Sequence, residues 1–356
     1  MITDGLKLTS YFGERQRIGG TRGQFVADAL LGLYGRQEVA TSILLRGAEG
    51  FGLKHRLRTD LSLSLSEDLP LTTIAVDRRE RIEALAPEAV RLTGSGLVTL
   101  ERARLLSGDL DAGAAAGNGG AAKLTIYLGR QERVYRVPAF MAVCDLLYRR
   151  GIDGATALLG VDGTAHGRRE RAAFFSRNAE VPMMVIALGA EGPIARVLPE
   201  LGALLTRPLI AVERVLVAKR DGQLLAWPPA AAPETGPETG PEPGPARWQK
   251  LMAYTSEAAR QDGQPIHRAI IRRLRSAGIS GATTQLGIWG FHGAHAPHGD
   301  RLFQLSRHVP AVTSVIDTPE RITAAFGIID ELTTRTGLVT CETVPVRYRR
   351  GARQNT

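Results

Sequence analysis

Glycines interleaved with cations occur at two places in this 356-residue chain, and both read as loops able to hold an anion. The first, preceded by Gly47, is Gly50-Phe51-Gly52-Leu53-Lys54-His55-Arg56-Leu57-Arg58; the second is Gly163-Thr164-Ala165-His166-Gly167-Arg168-Arg169-Glu170-Arg171. Glycine permits close backbone approach and cationic side chains supply charge-assisted hydrogen bonds, which together suit phosphate or another small anion. The same composition also fits a solvated basic loop tip with turn glycines. Thr93-Gly94-Ser95-Gly96 offers a second backbone nest, where the competing reading is an ordinary helix-to-strand turn. Thr206-Arg207-Pro208 lacks both glycines and one donor, so clefts built on these segments are expected to differ from one another. The ligand-binding candidates are therefore Gly47, Gly50, Gly52, Lys54, His55, Arg56, Arg58, Gly94, Gly96, Gly163, His166, Arg168, Arg169, Gly290, His292 and Gly337. Gly50→Val is expected to abolish ligand-induced stabilisation and to leave the fold intact.

Histidines concentrate at His292, His295 and His298, three of the seven in the chain. Imidazoles at this spacing can bind Zn²⁺ or Cu²⁺. Gly293, Pro297 and Gly299 interrupt the segment, however, and no helix aligns the rings. Exposed loop histidines that contact an anion or titrate near neutrality are the alternative. Glu101, Glu213 and Glu342 lack a neighbouring carboxylate or His for acid–base work and are expected to be structural, paired with an Arg of another segment. No nucleophile constellation recurs, and no catalytic residue is assigned.

These residues are positioned by a repeat. Tyr11, Tyr127 and Tyr254 are followed by Gly47, Gly160 and Gly287, then by Pro70, Pro182 and Pro310, then by the three Glu. The Gly-to-Pro intervals are 23, 22 and 23 residues and the Pro-to-Glu intervals 31, 31 and 32. Landmarks that keep register in this way mean three homologous modules, at residues 1–106, 122–220 and 247–346. A Gly/Ala-rich stretch, 107–121, is expected to be flexible coil, and 221–246, rich in Pro, Glu and Gly, to be extended linker. A basic tail, 347–356, is expected to be disordered. The tyrosines read as core or interface anchors.

The net charge of +9 favours anionic partners without choosing among them. No apolar run reaches the ~20 residues of a membrane helix, and the chain opens without a basic and apolar secretion signal. Two cysteines in different modules read as buried thiols of a reducing cytoplasm.

Within each module the periodicity predicts strand, helix, strand, strand, helix, strand: an α+β, ferredoxin-like sheet with both helices on one face. The third strands lack polar alternation, most plainly Met183-Met184-Val185-Ile186-Ala187-Leu188. A strand wet on one side should alternate. The open sheet face is therefore expected to be buried against the other two modules, making one chain an intramolecular pseudo-trimer and a monomer in solution.

Gly50-Phe51-Gly52, Leu65-Ser66-Glu67-Asp68-Leu69-Pro70 and Gly96-Leu97-Val98-Thr99-Leu100-Glu101 resemble an uncharacterised family of PII-like proteins. Gly163-Thr164-Ala165-His166-Gly167-Arg168 carries the likeness in the second module, and Gly290-Phe291-His292-Gly293 with Gly337-Leu338-Val339-Thr340 in the third. The resemblance implies trimers of ferredoxin-like units that bind an adenine nucleotide in clefts between units. It also implies a mobile loop after the second strand that engages a target such as a transporter or channel; members are often encoded beside fluoride exporters. The alternatives are an RNA-binding protein with a basic ferredoxin-like surface, or a metal-binding PII/CutA-like protein. RNA-recognition domains stack bases on aromatics of the central strands, and Leu71–Val76, Val181–Leu188 and Val309–Ile316 contain none.

Overall fold

The computed structural model describes residues 1–19, 23–52, 54–60, 68–108, 110, 113, 119–165, 168–171, 181–230, 247–293, 296–299 and 309–349, with backbone alone at 165, 168–171, 247 and 347–349. Module 1 comprises strands Ile2–Gly13, Thr41–Arg46, Pro70–Arg78 and Leu97–Ser107 with helices α1 (Val26–Arg36) and α2 (Arg79–Thr93). Its antiparallel strands lie in the order last, first, third, second. Module 2 repeats this with Ala121–Gly129, α3 (Ala139–Arg149), Gly154–Leu159, Pro182–Ala190, α4 (Glu191–Leu204) and Leu209–Arg220. Module 3 does so with Arg247–Ser256, α5 (Ile266–Ser276), Ala282–Leu286, Pro310–Asp317, α6 (Pro319–Leu332) and Leu338–Arg349.

Apolar spacing sets which helix face is buried. In α5, Ile266, Ile270, Ile271 and Leu274 are buried while Arg272 and Arg273 face out. The helix stops where Gly278 turns to φ 74°, a conformation glycine adopts without strain. Each module has its own core between helices and sheet.

A fourth core explains the missing alternation. Met183, Val185 and Ala187 point into module 2's helix-side core. Met184, Ile186 and Leu188 point the other way, into a cluster shared with Ile43 and Ile74 of module 1 and Val312 of module 3. The sheet face left bare by one module is covered by the other two.

Backbone pairing closes the ring. The last strands meet one another: Leu209–Val212 against Ser107–Arg104, Leu216–Arg220 against Cys341–Leu338, and Val346–Arg349 against Thr99–Leu97. The chain just after each second strand crosses to a neighbour's second strand. Glu49–Thr284 and Phe51–Ala282 bound the pairing of module 1 with module 3. Module 3 pairs likewise with module 2 from Trp289 to His292, and module 2 with module 1 from Asp162 to Ala165.

Three expectations about boundaries are corrected. Strand continues through Arg347–Arg349, so the tail begins later than 347, because this segment gains a partner in Leu97–Val98. Residues 350–356 lie outside the described residues. The Gly/Ala-rich stretch is not free coil throughout, since Leu110 is buried in module 2's core over Gly202. The stretch from 221 begins as a hairpin, Gln223–Leu224 folding back on Lys219–Arg220, and Trp227 meets Phe326 edge-on at 5.0 Å. The remainder of that linker, 231–246, lies outside the described residues. Cys144 and Cys341 are both free and buried, as expected.

Candidate functional site

The glycine-led motifs lie at the seams between modules. A Cβ on Gly50 would stand 2.6 Å from the Ala282 carbonyl oxygen, one on Gly163 2.3 Å from that of Ser42, and one on Gly290 2.2 Å from that of Ala155. No side chain fits there without parting the strands. The expectation for Gly50→Val is therefore wrong in its second half: the substitution attacks the fold at a seam. The next residue acts as a plug. Phe51 is buried in module 3's core and Phe291 in module 2's, where Tyr148 of α3 meets it edge-on at 5.3 Å. Module 2 offers Thr164 instead, fully buried, its hydroxyl 2.7 Å from that of Ser42.

Module 3 also clamps the module 1 loop root from outside. Arg268 of α5 donates to the Thr59 hydroxyl at 3.1 Å and to Asp60 at 3.0 Å, and Leu57 packs on the module 3 core. Beside it Glu49 is buried, and burial, only partly opposed by Arg268, raises its pKa.

At the centre of the molecule lies a ring that sequence reasoning missed. Lys7, Lys123 and Lys250 stand opposite Glu101, Glu213 and Glu342 in strand register. Each ammonium bridges its own module's carboxylate and a neighbour's. Lys7 reaches Glu101 at 2.7 Å and Glu213 at 2.6 Å; Lys123 reaches Glu213 at 3.3 Å and Glu342 at 2.6 Å; Lys250 reaches Glu101 at 3.1 Å and Glu342 at 3.8 Å. Thr9 and Thr99 donate to Glu101 at 3.1 and 3.0 Å. All six side chains are at most 9% exposed. The glutamates pair across modules, as expected, but their partners are lysines and not arginines. The signal was available: a Lys precedes each landmark Tyr by four residues.

Burial alone would push Glu101 and Glu213 up; the facing lysines outweigh it and hold both below the ordinary carboxylate value. Burial likewise opposes the charge on Lys7, yet Glu101 and Glu213 raise it well above its ordinary value. Burial raises Tyr11, Tyr127 and Tyr254, so all three are neutral phenols. The three carboxylates approach within 4.8 Å of one another, spacing that would suit a metal ion. The lysines already supply the compensating charge.

A shallow cleft, open to solvent and with enclosed room of about 10 Å³, enough for about one water, lies between modules 2 and 3. Module 2 contributes Gly154–Thr156, Ile186 and Leu188; module 3 contributes Tyr254–Ser256, Phe291, His292, His298, Pro310 and Leu338. Its walls are apolar, with the hydroxyls of Thr156, Thr255 and Ser256 and two imidazoles as polar groups. His298 Nδ1 lies 2.9 Å from the Ala296 carbonyl.

Of the predicted ligand residues, His292 lines this cleft, and Gly337 adjoins it through Leu338. Gly47 packs on Pro70, and Gly96 on the Tyr11 carbonyl 2.5 Å from where a Cβ would lie. Gly337 at φ 107° and Gly94 at φ 61° adopt backbone that favours glycine. Gly52, Lys54, His55 and Arg56 are exposed; His55 stacks on Phe51 at 5.9 Å, and Arg58 pairs with Asp68 at 2.8 Å. His166 and His295 lie outside the described residues, and Arg168 and Arg169 are described in backbone only, in the strand Arg168–Arg171.

Comparison with known families places this architecture among relatives. The DUF190 family model (Uncharacterized ACR, COG1993) matches three times, at residues 5–105, 121–217 and 248–346. A UPF0166 protein of Aquifex aeolicus (strain VF5) is 31% identical over 99 residues, 28% of this chain and 91% of that protein. A UPF0166 protein of Methanocaldococcus jannaschii is 29% identical over 89 residues, 25% of this chain and 82% of that protein.

Proposed function

Since the chain belongs to the DUF190 family and carries its module in three copies, we propose that it is a PII-like regulatory protein. In this reading it is a ferredoxin-like pseudo-trimer that binds a small anionic ligand, such as an adenine nucleotide, between modules 2 and 3. The loops after the second strands carry the signal to a partner such as a transporter or channel. The strand order within each module supports the ferredoxin-like assignment.

One observation carries the proposal: the root of module 3's loop, Phe291 and His292, is a wall of the cleft whose opposite wall is module 2. A ligand larger than a water must widen this cleft, and so acts on the loop root directly. It shifts the loop by whatever affinity it gains in one loop arrangement over another. The apolar walls suit a planar ring, and the hydroxyls and imidazoles suit ribose or phosphate oxygens. An RNA reading loses support, because the sheet face that would stack bases is buried in the shared core.

Thermal shift with ATP, ADP, AMP, cyclic nucleotides and inorganic phosphate tests this. At least one ligand is expected to raise Tm, and His292→Ala, which strips one wall of the cleft, is expected to reduce the rise. No rise with any ligand, or a rise that His292→Ala leaves unchanged, overturns the proposal.

A further inference from the structure

Three hairpins in this molecule close with the same two-residue turn. Asp221-Gly222 joins Arg220 to Gln223, and Asp262-Gly263 joins Gln261 to Gln264. In module 2, Tyr135-Arg136 joins Val134 to Val137. The backbone is nearly the same in all three: φ is 46° and 82°, 49° and 78°, and 48° and 70° respectively. Positive φ at both central residues is the reason such turns take Asp-Gly or Asn-Gly. Two of the three obey. The third holds an aromatic and an arginine in left-handed backbone, which strains both residues.

The Tyr135 side chain gains no burial in return. Tyr135 is 93% exposed and Val137 40%. Arg133 folds over the turn to donate to the Arg136 carbonyl at 3.0 Å, while Glu132 turns inward, accepting from the Gly129 amide. The tip therefore presents Tyr135 flanked by Arg133 and Arg136, with no carboxylate among the residues of the turn. The hairpin's root is tied to Val181, just before module 2's third strand, by the Arg130 amide donating to the Val181 carbonyl.

We propose that the Tyr135-Arg136 tip is a docking pin for an acidic segment of a partner protein that also carries apolar side chains. Tyrosine and arginine, with tryptophan, are the side chains that most often carry interface energy. One ring and one valine bury too little apolar area to hold a membrane, and one ring stacks only one base.

The test uses the full chain with Tyr135→Asn and Arg136→Gly together, which installs the turn chemistry the fold prefers. Removing the strain is expected to raise Tm by about 2 °C. Binding is read by fluorescence anisotropy with a labelled Asp/Glu-rich dodecapeptide containing a Leu-Phe pair. It is expected to weaken about tenfold relative to the charge-matched control Arg91→Ala on α2. An unchanged or lower Tm, no peptide binding by the parent chain, or equal affinity of the turn variant and control overturns the proposal. So does tip-dependent binding that appears only with phosphatidylglycerol vesicles or oligo-dT.

Discussion

At the axis, all three modules place the same two residue types in the same register, Lys7, Lys123 and Lys250 against Glu101, Glu213 and Glu342. At the seams the equivalent plug is Phe51, Thr164 or Phe291, and Arg268 clamps the module 1 seam from outside. The axis links all three modules in one ring, so a change at one position leaves charge unmatched both in its own module and in a neighbour. A seam involves only two modules and can diverge alone. Duplication inside one chain thus keeps the assembly symmetric at its centre while freeing each cleft and loop to specialise.

The largest break in this comparison should come from the axis. Glu101→Ala leaves Lys7 and Lys250 facing fewer carboxylates in a buried site and should cost about 3–5 kcal/mol, measured by urea unfolding. Replacing all six by apolar residues of similar volume should cost far less, since desolvation is then removed as well.

Seam substitutions rank next and should differ by module. Phe51→Ala should cost about 3–4 kcal/mol by opening a cavity in module 3's core. Thr164→Ala, which removes one buried hydroxyl pair, should cost about 1 kcal/mol. Equal costs would mean that the seams had not diverged. Gly50→Val, which drives a side chain into the Ala282 carbonyl, should cost about 2–3 kcal/mol.

Titration sharpens the picture with smaller effects. His267 is buried with neither ring nitrogen hydrogen-bonded to any of the described residues, and burial lowers its pKa from 6.5 to about 4. The unfolded chain therefore takes up this proton first, and stability should decline as pH falls from about 6.5 towards 4. His267→Phe should flatten that part of the profile. Glu101 and Glu213, held low by the lysines, contribute stability that is complete above about 4.3, the unfolded value. That contribution is lost only as pH falls through their folded values. Lys7, raised by the same pairing, contributes below about 10.4 and loses its contribution as pH rises through its folded value. Tm should therefore hold level between about pH 7 and 9. No change is expected in mass: light scattering should find one chain, because the sheet faces that a single module would expose are already covered.

Much of this was legible in the residues. The repeat gave three modules, periodicity gave their strand and helix order, and the doubly apolar third strand required a second core. The lysines were not legible as buried, because a lone Lys in a strand reads as a solvated face. Only their superposition across three copies places them together. The glycines were misread in part because glycine reports close backbone approach without saying what approaches; here it is a neighbouring strand. The turn at Tyr135 gave no signal, since its sequence lacks the residues that mark such turns.

The central claim is that charges contributed by different modules form one coupled ring in a single chain. A double-mutant cycle between Lys7 and Glu213, 206 residues apart in sequence, tests it most directly, using Lys7→Met and Glu213→Gln with unfolding free energies for all four proteins. A coupling of about 2 kcal/mol or more is expected for a close, desolvated pair. Additive effects within about 0.3–0.5 kcal/mol would contradict the ring.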